Sequence, residues 1–95
     1  MIVWLTSDQA GRHSGPPAAP YAANAFVPPH SATTGLASFV LQDFTVGAWR
    51  SPAKGRWLAV KNDGPYRVQV GADVVVTEGP KPVGYFHVEE VRQAE

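Results

Sequence analysis

The sequence predicts a single all-β domain spanning residues 1–95, a small closed antiparallel-type β-barrel of about six strands. Three observations predict it. Nine glycines and nine prolines punctuate the 95 residues. Between them lie short runs of β-branched and aromatic residues alternating at a period of two. No segment sustains the three-to-four-residue apolar period of a helix. Closing the sheet removes the exposed edges that a β-rich chain must otherwise protect.

The elements follow in order. Residues 2–5 (IVWL) form a first short strand, stopped by the polar run that ends at Gly11. Residues 12–35 hold Pro16, Pro17, Pro20, Pro28 and Pro29. Proline lacks an amide donor and fixes φ, so this stretch reads as a long loop, neither helix nor central strand. Tyr21, Phe26 and Val27 pin it to the body, with a short strand allowed near 25–27. Residues 37–46 (ASFVLQDFTV) form the first long strand, with Phe39 and Leu41 on one face and Val40, Phe44 and Val46 on the other. A loop over 47–55 precedes a strand at 56–61, and Asn62-Asp63-Gly64-Pro65 is a turn. Residues 66–70 alternate as a further strand. Residues 74–77 and 82–91 form a hairpin around Glu78-Gly79-Pro80-Lys81. Gly84, inside an apolar run, marks a close backbone approach.

Composition narrows the function. Eight basic and eight acidic side chains cancel, whereas phosphate-binding proteins carry a positive excess or stripe. The one local basic cluster is Arg50, Lys54 and Arg56. With no cysteine, disulfides, thiolate metal sites and thiol catalysis are excluded, and the chain is expected in the cytoplasm. The N-terminus lacks the basic flank and apolar stretch of a signal peptide. No run approaches the roughly 18 apolar residues of a membrane span.

Two segments resemble the C-terminal β-barrel of elongation factor Tu and its relatives. The first carries Leu5-Thr6, Gly11-Arg12-His13-Ser14, Pro16, Tyr21 and Phe26. The second reads Glu78-Gly79-Pro80-Lys81-Pro82-Val83-Gly84-Tyr85-Phe86. The family's barrel opens with a Gly-Arg-(His/Lys)-Thr-Pro loop and a Gly-Tyr-Arg-Pro-Gln-Phe stretch, and it closes with a Gly-rich hairpin. The resemblance covers the first quarter and the last fifth of the chain. Here Ala22-Ala23-Asn24-Ala25 follows Tyr21, so the Arg-Pro-Gln segment that helps the family meet aminoacyl-tRNA is missing. There is no GxxxxGK[ST] phosphate loop and no Asn-Lys-x-Asp, so no nucleotide is expected. The resemblance implies a barrel with a translation-linked or partner-docking role.

Catalytic readings are weak. Asp8, His13 and Ser14 suggest a small hydrolase, but adjacent residues of an extended chain point opposite ways, and the GxSxG elbow is absent. His13, His30 and His87 lack metal-ligand spacing. Glu89 and Glu90 face opposite sides of a strand and cannot act together. Trp4 and Trp57 lie among aliphatic residues and read as core. Trp49, in a loop beside Arg50, has no core duty, and the pair are residue types that dominate binding hot spots. The expectation is a non-enzymatic module without cofactor that docks a protein or RNA partner through residues 11–29 and 49–56. Arg12, His13, Tyr21, Trp49, Arg50 and Arg56 are its candidate contacts. An RNA- or tRNA-binding protein is the alternative.

Overall fold

The computed structural model describes residues 1–9, 11–12, 15–31 and 33–92. Seven strands make one antiparallel sheet: β1 (Ile2–Trp4), β2 (Tyr21–Phe26), β3 (Ala37–Gln42), β4 (Arg50–Ser51), β5 (Lys54–Trp57), β6 (Asp73–Glu78) and β7 (Lys81–His87). Their order is β4-β1-β7-β6-β2-β3-β5. The only helical pieces among the described residues are two 3₁₀ turns, Ser7–Gln9 and Gly64–Tyr66. Among the described residues no helix is long and apolar enough to cross a membrane.

The sheet is all-β as expected, but it is not a closed barrel. Its two end strands, β4 and β5, follow one another in the chain with only Pro52 and Ala53 between them. The sheet therefore curls until its ends meet through the backbone, without a hydrogen-bonded ladder between them. Pro52, lacking an N–H, suits this corner. The concave face carries the core: Ile2 and Trp4, Ala25, Phe39 and Leu41, Val74 and Val76, with Phe44 added from beyond β3. Phe39 and Leu41 share this face, as their alternation along β3 predicts.

Gly84 is a close approach, as expected. It pairs with Trp4, and a Cβ there would lie 3.0 Å from the indole Cε3 and 3.1 Å from the Val3 carbonyl oxygen. The hairpin of β6 and β7 turns where expected, with Glu78 opposite Lys81. A register shift between Val76 and Thr77 breaks the simple alternation. Val83 and Tyr85 are two residues apart, yet Val83 is fully buried while Tyr85 is exposed; the shift re-aims side chains locally.

Four expectations about where strands lie need correction. Residues 12–35 are not one long loop, because β2 occupies 21–26 and lies inside the sheet, between β6 and β3. The five prolines all fall outside it, so none removes a ladder donor. Residues 66–70 form no strand. The Trp57 Nε1–H donates to the Tyr66 carbonyl at 2.9 Å and the Asn62 Oδ1 accepts from the Val68 N–H at 2.5 Å, so side chains take the place of a ladder. The strand expected at 56–61 instead covers Lys54–Trp57, and Leu58 beyond it is exposed. The 37–46 strand likewise ends at Gln42, where Asp43 turns the chain with φ 59°. That turn sends Phe44 into the core rather than to the outer face.

Candidate functional site

Of the six candidate contacts, His13 lies outside the described residues. The structure brings three of the others to one end of the sheet. β2 starts with Tyr21, whose hydroxyl donates to the Glu78 carboxylate at the end of β6. The Arg12 Nε lies 2.8 Å from the same carboxylate. Its N–H is not aimed along that line, so the contact is charge against charge. The Arg12 guanidinium also sits 5.6 Å from the Tyr21 ring centroid and donates to the Gly15 carbonyl at 2.8 Å. Gly15 in turn faces the tip of the Trp49 ring, with Cη2 3.7 Å from where a Cβ would stand. The two expected loops thus touch each other. Arg12 and Tyr21 are engaged within the protein, while Trp49 is 43 % exposed.

Burial, then the hydrogen bond to Glu78, raises the Tyr21 pKa well above the ordinary tyrosine value, against a smaller lowering by Arg12. The folded form therefore keeps a proton that the unfolded chain releases above about pH 10. Where the unfolded state binds fewer protons, stability falls as pH rises. This contribution is present below about pH 10 and is lost progressively above it. Tyr21→Phe is expected to flatten the alkaline decline in melting temperature. Identical declines for variant and wild type between about pH 9.5 and about pH 11.5, around the ordinary tyrosine range, would contradict this account of Tyr21.

Arg50 and Arg56 are not part of that cluster. Arg50 pairs with Val3 at one end of the sheet. Arg56 lies on β5, opposite Val40, beside a cleft of about 1020 Å³. Phe39, Trp57 and Phe86 floor it, and Val88 to Arg92 form the opposing wall with Met1. The three rings pack edge-on or tilted: Phe39 to Trp57 at 4.9 Å and Phe39 to Phe86 at 5.8 Å between centroids. Gly55 allows this convergence. A Cβ there would come within 2.5 Å of the Phe39 ring and 3.1 Å of the Phe86 ring.

The edge of β5 that borders this cleft has no ladder. Leu58 N–H donates to the Ser38 carbonyl, and Arg56 and Lys54 face Val40 and Gln42. In an antiparallel pair the bonding residues alternate. Gly55 and Trp57 therefore direct their backbone N–H and C=O away from β3, toward the cleft, and among the described residues neither has a backbone partner there.

Charge around the cleft is uneven. On the opposing wall Glu90 pairs with Arg92 at 2.8 Å, and Glu89 lies 3.9 Å from the Met1 amine. On the β5 side Lys54 contacts Asp43 at 3.5 Å. Arg56 and Lys61 have no ion pair among the described residues, so the β5 rim is net positive. Among the described residues no group of three His, Asp or Glu side chains is placed to hold a metal.

Comparison with protein-family models, with curated proteins and with solved structures finds no match to this chain. The resemblance to the translation-factor barrel thus rests on the two sequence segments alone.

Sequence reasoning reached Arg56 but missed Gly55, Trp57, Phe39 and Phe86 as one site. The available signal was Lys54-Gly55-Arg56-Trp57, a glycine between two cations and next to a tryptophan. A loop assigned up to residue 55 hid it. Glu78, read only as hairpin charge, is the group that ties Arg12 to Tyr21.

Proposed function

We propose that this chain is a non-enzymatic binding module that docks a protein partner in the cleft between β5 and residues 88–92. One observation carries the reading: a strand edge with unpaired backbone groups borders an aromatic floor. An open strand edge offers main-chain hydrogen bonds to an arriving polypeptide, and aromatic residues supply much of the energy in docking, so this is where a polypeptide gains both. The rings here pack against each other and Phe39 is only 3 % exposed, which suits apolar side chains better than stacked bases. A partner-docking role also agrees with the likeness to the elongation factor's barrel, for which translation is the natural setting.

The test is a peptide-display selection on the folded domain, with the binding site mapped by amide chemical shifts. Enriched peptides are expected to move Trp57, Phe86 and Val88 and to leave Asn24 and Thr77 unmoved. Enrichment mapping elsewhere, or no enrichment, defeats the reading. Salt-sensitive binding of total tRNA that moves the same residues would replace the protein partner by RNA.

A further inference from the structure

Resting on that docking reading, we infer that β5 receives an acidic, extended peptide as an added antiparallel strand, bonded to the backbone of Gly55 and Trp57.

The backbone argument comes from parity. Trp4 N–H donates to the Trp49 carbonyl and Leu58 N–H to the Ser38 carbonyl. Along the run from 49 to 58, odd residues therefore face the β1 side and even residues face β3. β1 lies alongside residues 49–51 and its pairing stops at Ser51. Gly55 and Trp57 thus present their N–H and C=O to a space that continues the line of β1. A strand laid there antiparallel to β5 forms narrow pairs with residues 55 and 57, the same pattern that β1 makes with 49 and 51. Gly55 is exposed and has no side chain of its own to cover its peptide groups. Adding a strand to an open sheet edge is an established way for main-chain bonds to supply affinity while alternate side chains supply selectivity.

The side-chain argument fixes the chemistry. Gly55 and Trp57 share the concave face with their partners Leu41 and Phe39. Inward residues of the added strand therefore fall on the partly exposed Trp57 and Phe86 rings, with Phe39 buried beneath them, and they must be apolar. Outward residues stand beside Lys54 and Arg56, which point to the convex face with Gln42 and Val40. Opposite charges directly across a strand pair attract and like charges repel. The unpaired Arg56 thus selects an acidic residue beside it, and Lys61, which also lines the cleft, adds to the positive field along that rim. Glu89 and Glu90, on the far wall, are already matched by the Met1 amine and Arg92.

The probe is a synthetic capped nonapeptide alternating Glu and Val, with a Lys/Val counterpart, added to the intact protein. Amide hydrogen exchange is read residue by residue. At about 90 % occupancy, exchange at Gly55 and Trp57 is expected to slow about tenfold, because only the free fraction exchanges. Lys54 and Arg56, already facing β3, should change little. The Lys/Val peptide should bind about fivefold more weakly, and Arg56→Glu should shift the preference toward it by a similar factor. Arg56 is exposed, so this variant is expected to stay folded, which its unchanged melting temperature checks. Binding that moves Trp57 and Phe86 without slowing exchange at Gly55 and Trp57 overturns strand addition but leaves the docking cleft standing. Preference for Lys/Val in the wild type overturns the acidic selectivity. If neither these probes nor display-selected peptides bind at the cleft, the docking reading falls as well.

Discussion

Trp4→Ala is expected to destabilise the protein by about 3–5 kcal/mol, the range for truncating a fully buried aromatic. The indole is 3 % exposed. It meets the Tyr21 ring edge-on at 5.4 Å and the Phe44 ring at 5.6 Å, and Gly84 gives it room on β7. Removing it leaves a cavity shared by β1, β2, β7 and the turn after β3, which no single neighbour is placed to fill. A domain of this length holds roughly 5–14 kcal/mol in total, so the loss takes a large share. Trp4→Phe is expected to cost much less. The Nε1–H of Trp4 has no hydrogen-bond partner among the described residues, and phenylalanine discards that buried donor while keeping most of the ring contacts. Urea titrations followed by the emission of Trp49 and Trp57 measure both. Equal costs for the two variants would show that the indole N–H, not the ring volume, is what matters.

Gly11→Ala carries the second large effect. A Cβ at this position would stand 2.1 Å from the Leu5 carbonyl oxygen and 2.5 Å from the Leu5 carbonyl carbon. These are backbone atoms, so no rotamer change relieves the overlap. The Gly11 N–H also donates to the Thr6 carbonyl at 2.8 Å, which ties the two segments together. Admitting a methyl group means moving the loop and losing that bond. The expected cost is about 1–3 kcal/mol for the overlap and about 0.5–1.5 kcal/mol for the bond. Arg12 follows directly, so its approach to Glu78 should loosen too. A denaturation midpoint within error of wild type would mean that the loop shifts freely and that Gly11 is not a fixed point.

The candidate site was only partly legible in the sequence. Trp49 and Arg50 stood out because bulky and cationic residues in a Gly/Pro loop have no core to fill, and Trp49 is indeed exposed. Tyr21 and Arg12 were picked out by their loop, yet they spend their polar groups on Glu78, which lies 57 residues from Tyr21. Pairing at that distance leaves no local periodicity to read. The cleft was hidden for a similar reason. Phe39, Trp57 and Phe86 each look like ordinary core residues, and an unpaired edge belongs to the sheet rather than to any one segment.

By itself the sequence determined part of the local conformation: that strands run through residues 2–4, 37–42, 74–77 and 82–87, that Phe39 and Leu41 share the inner face, where Gly79 and Pro80 turn the hairpin, and that no α-helix forms among the described residues. These follow from side-chain alternation and from the backbone limits of proline and glycine, which act within a few residues. Only the tertiary structure decided that a strand lies between Pro20 and Pro28 inside the sheet, that residues 66–70 give up their ladder to Trp57 and Asn62, and that β5 keeps a free edge. Each of those outcomes depends on which distant strand arrives to satisfy a backbone hydrogen bond, and that competition is settled only when the whole chain packs.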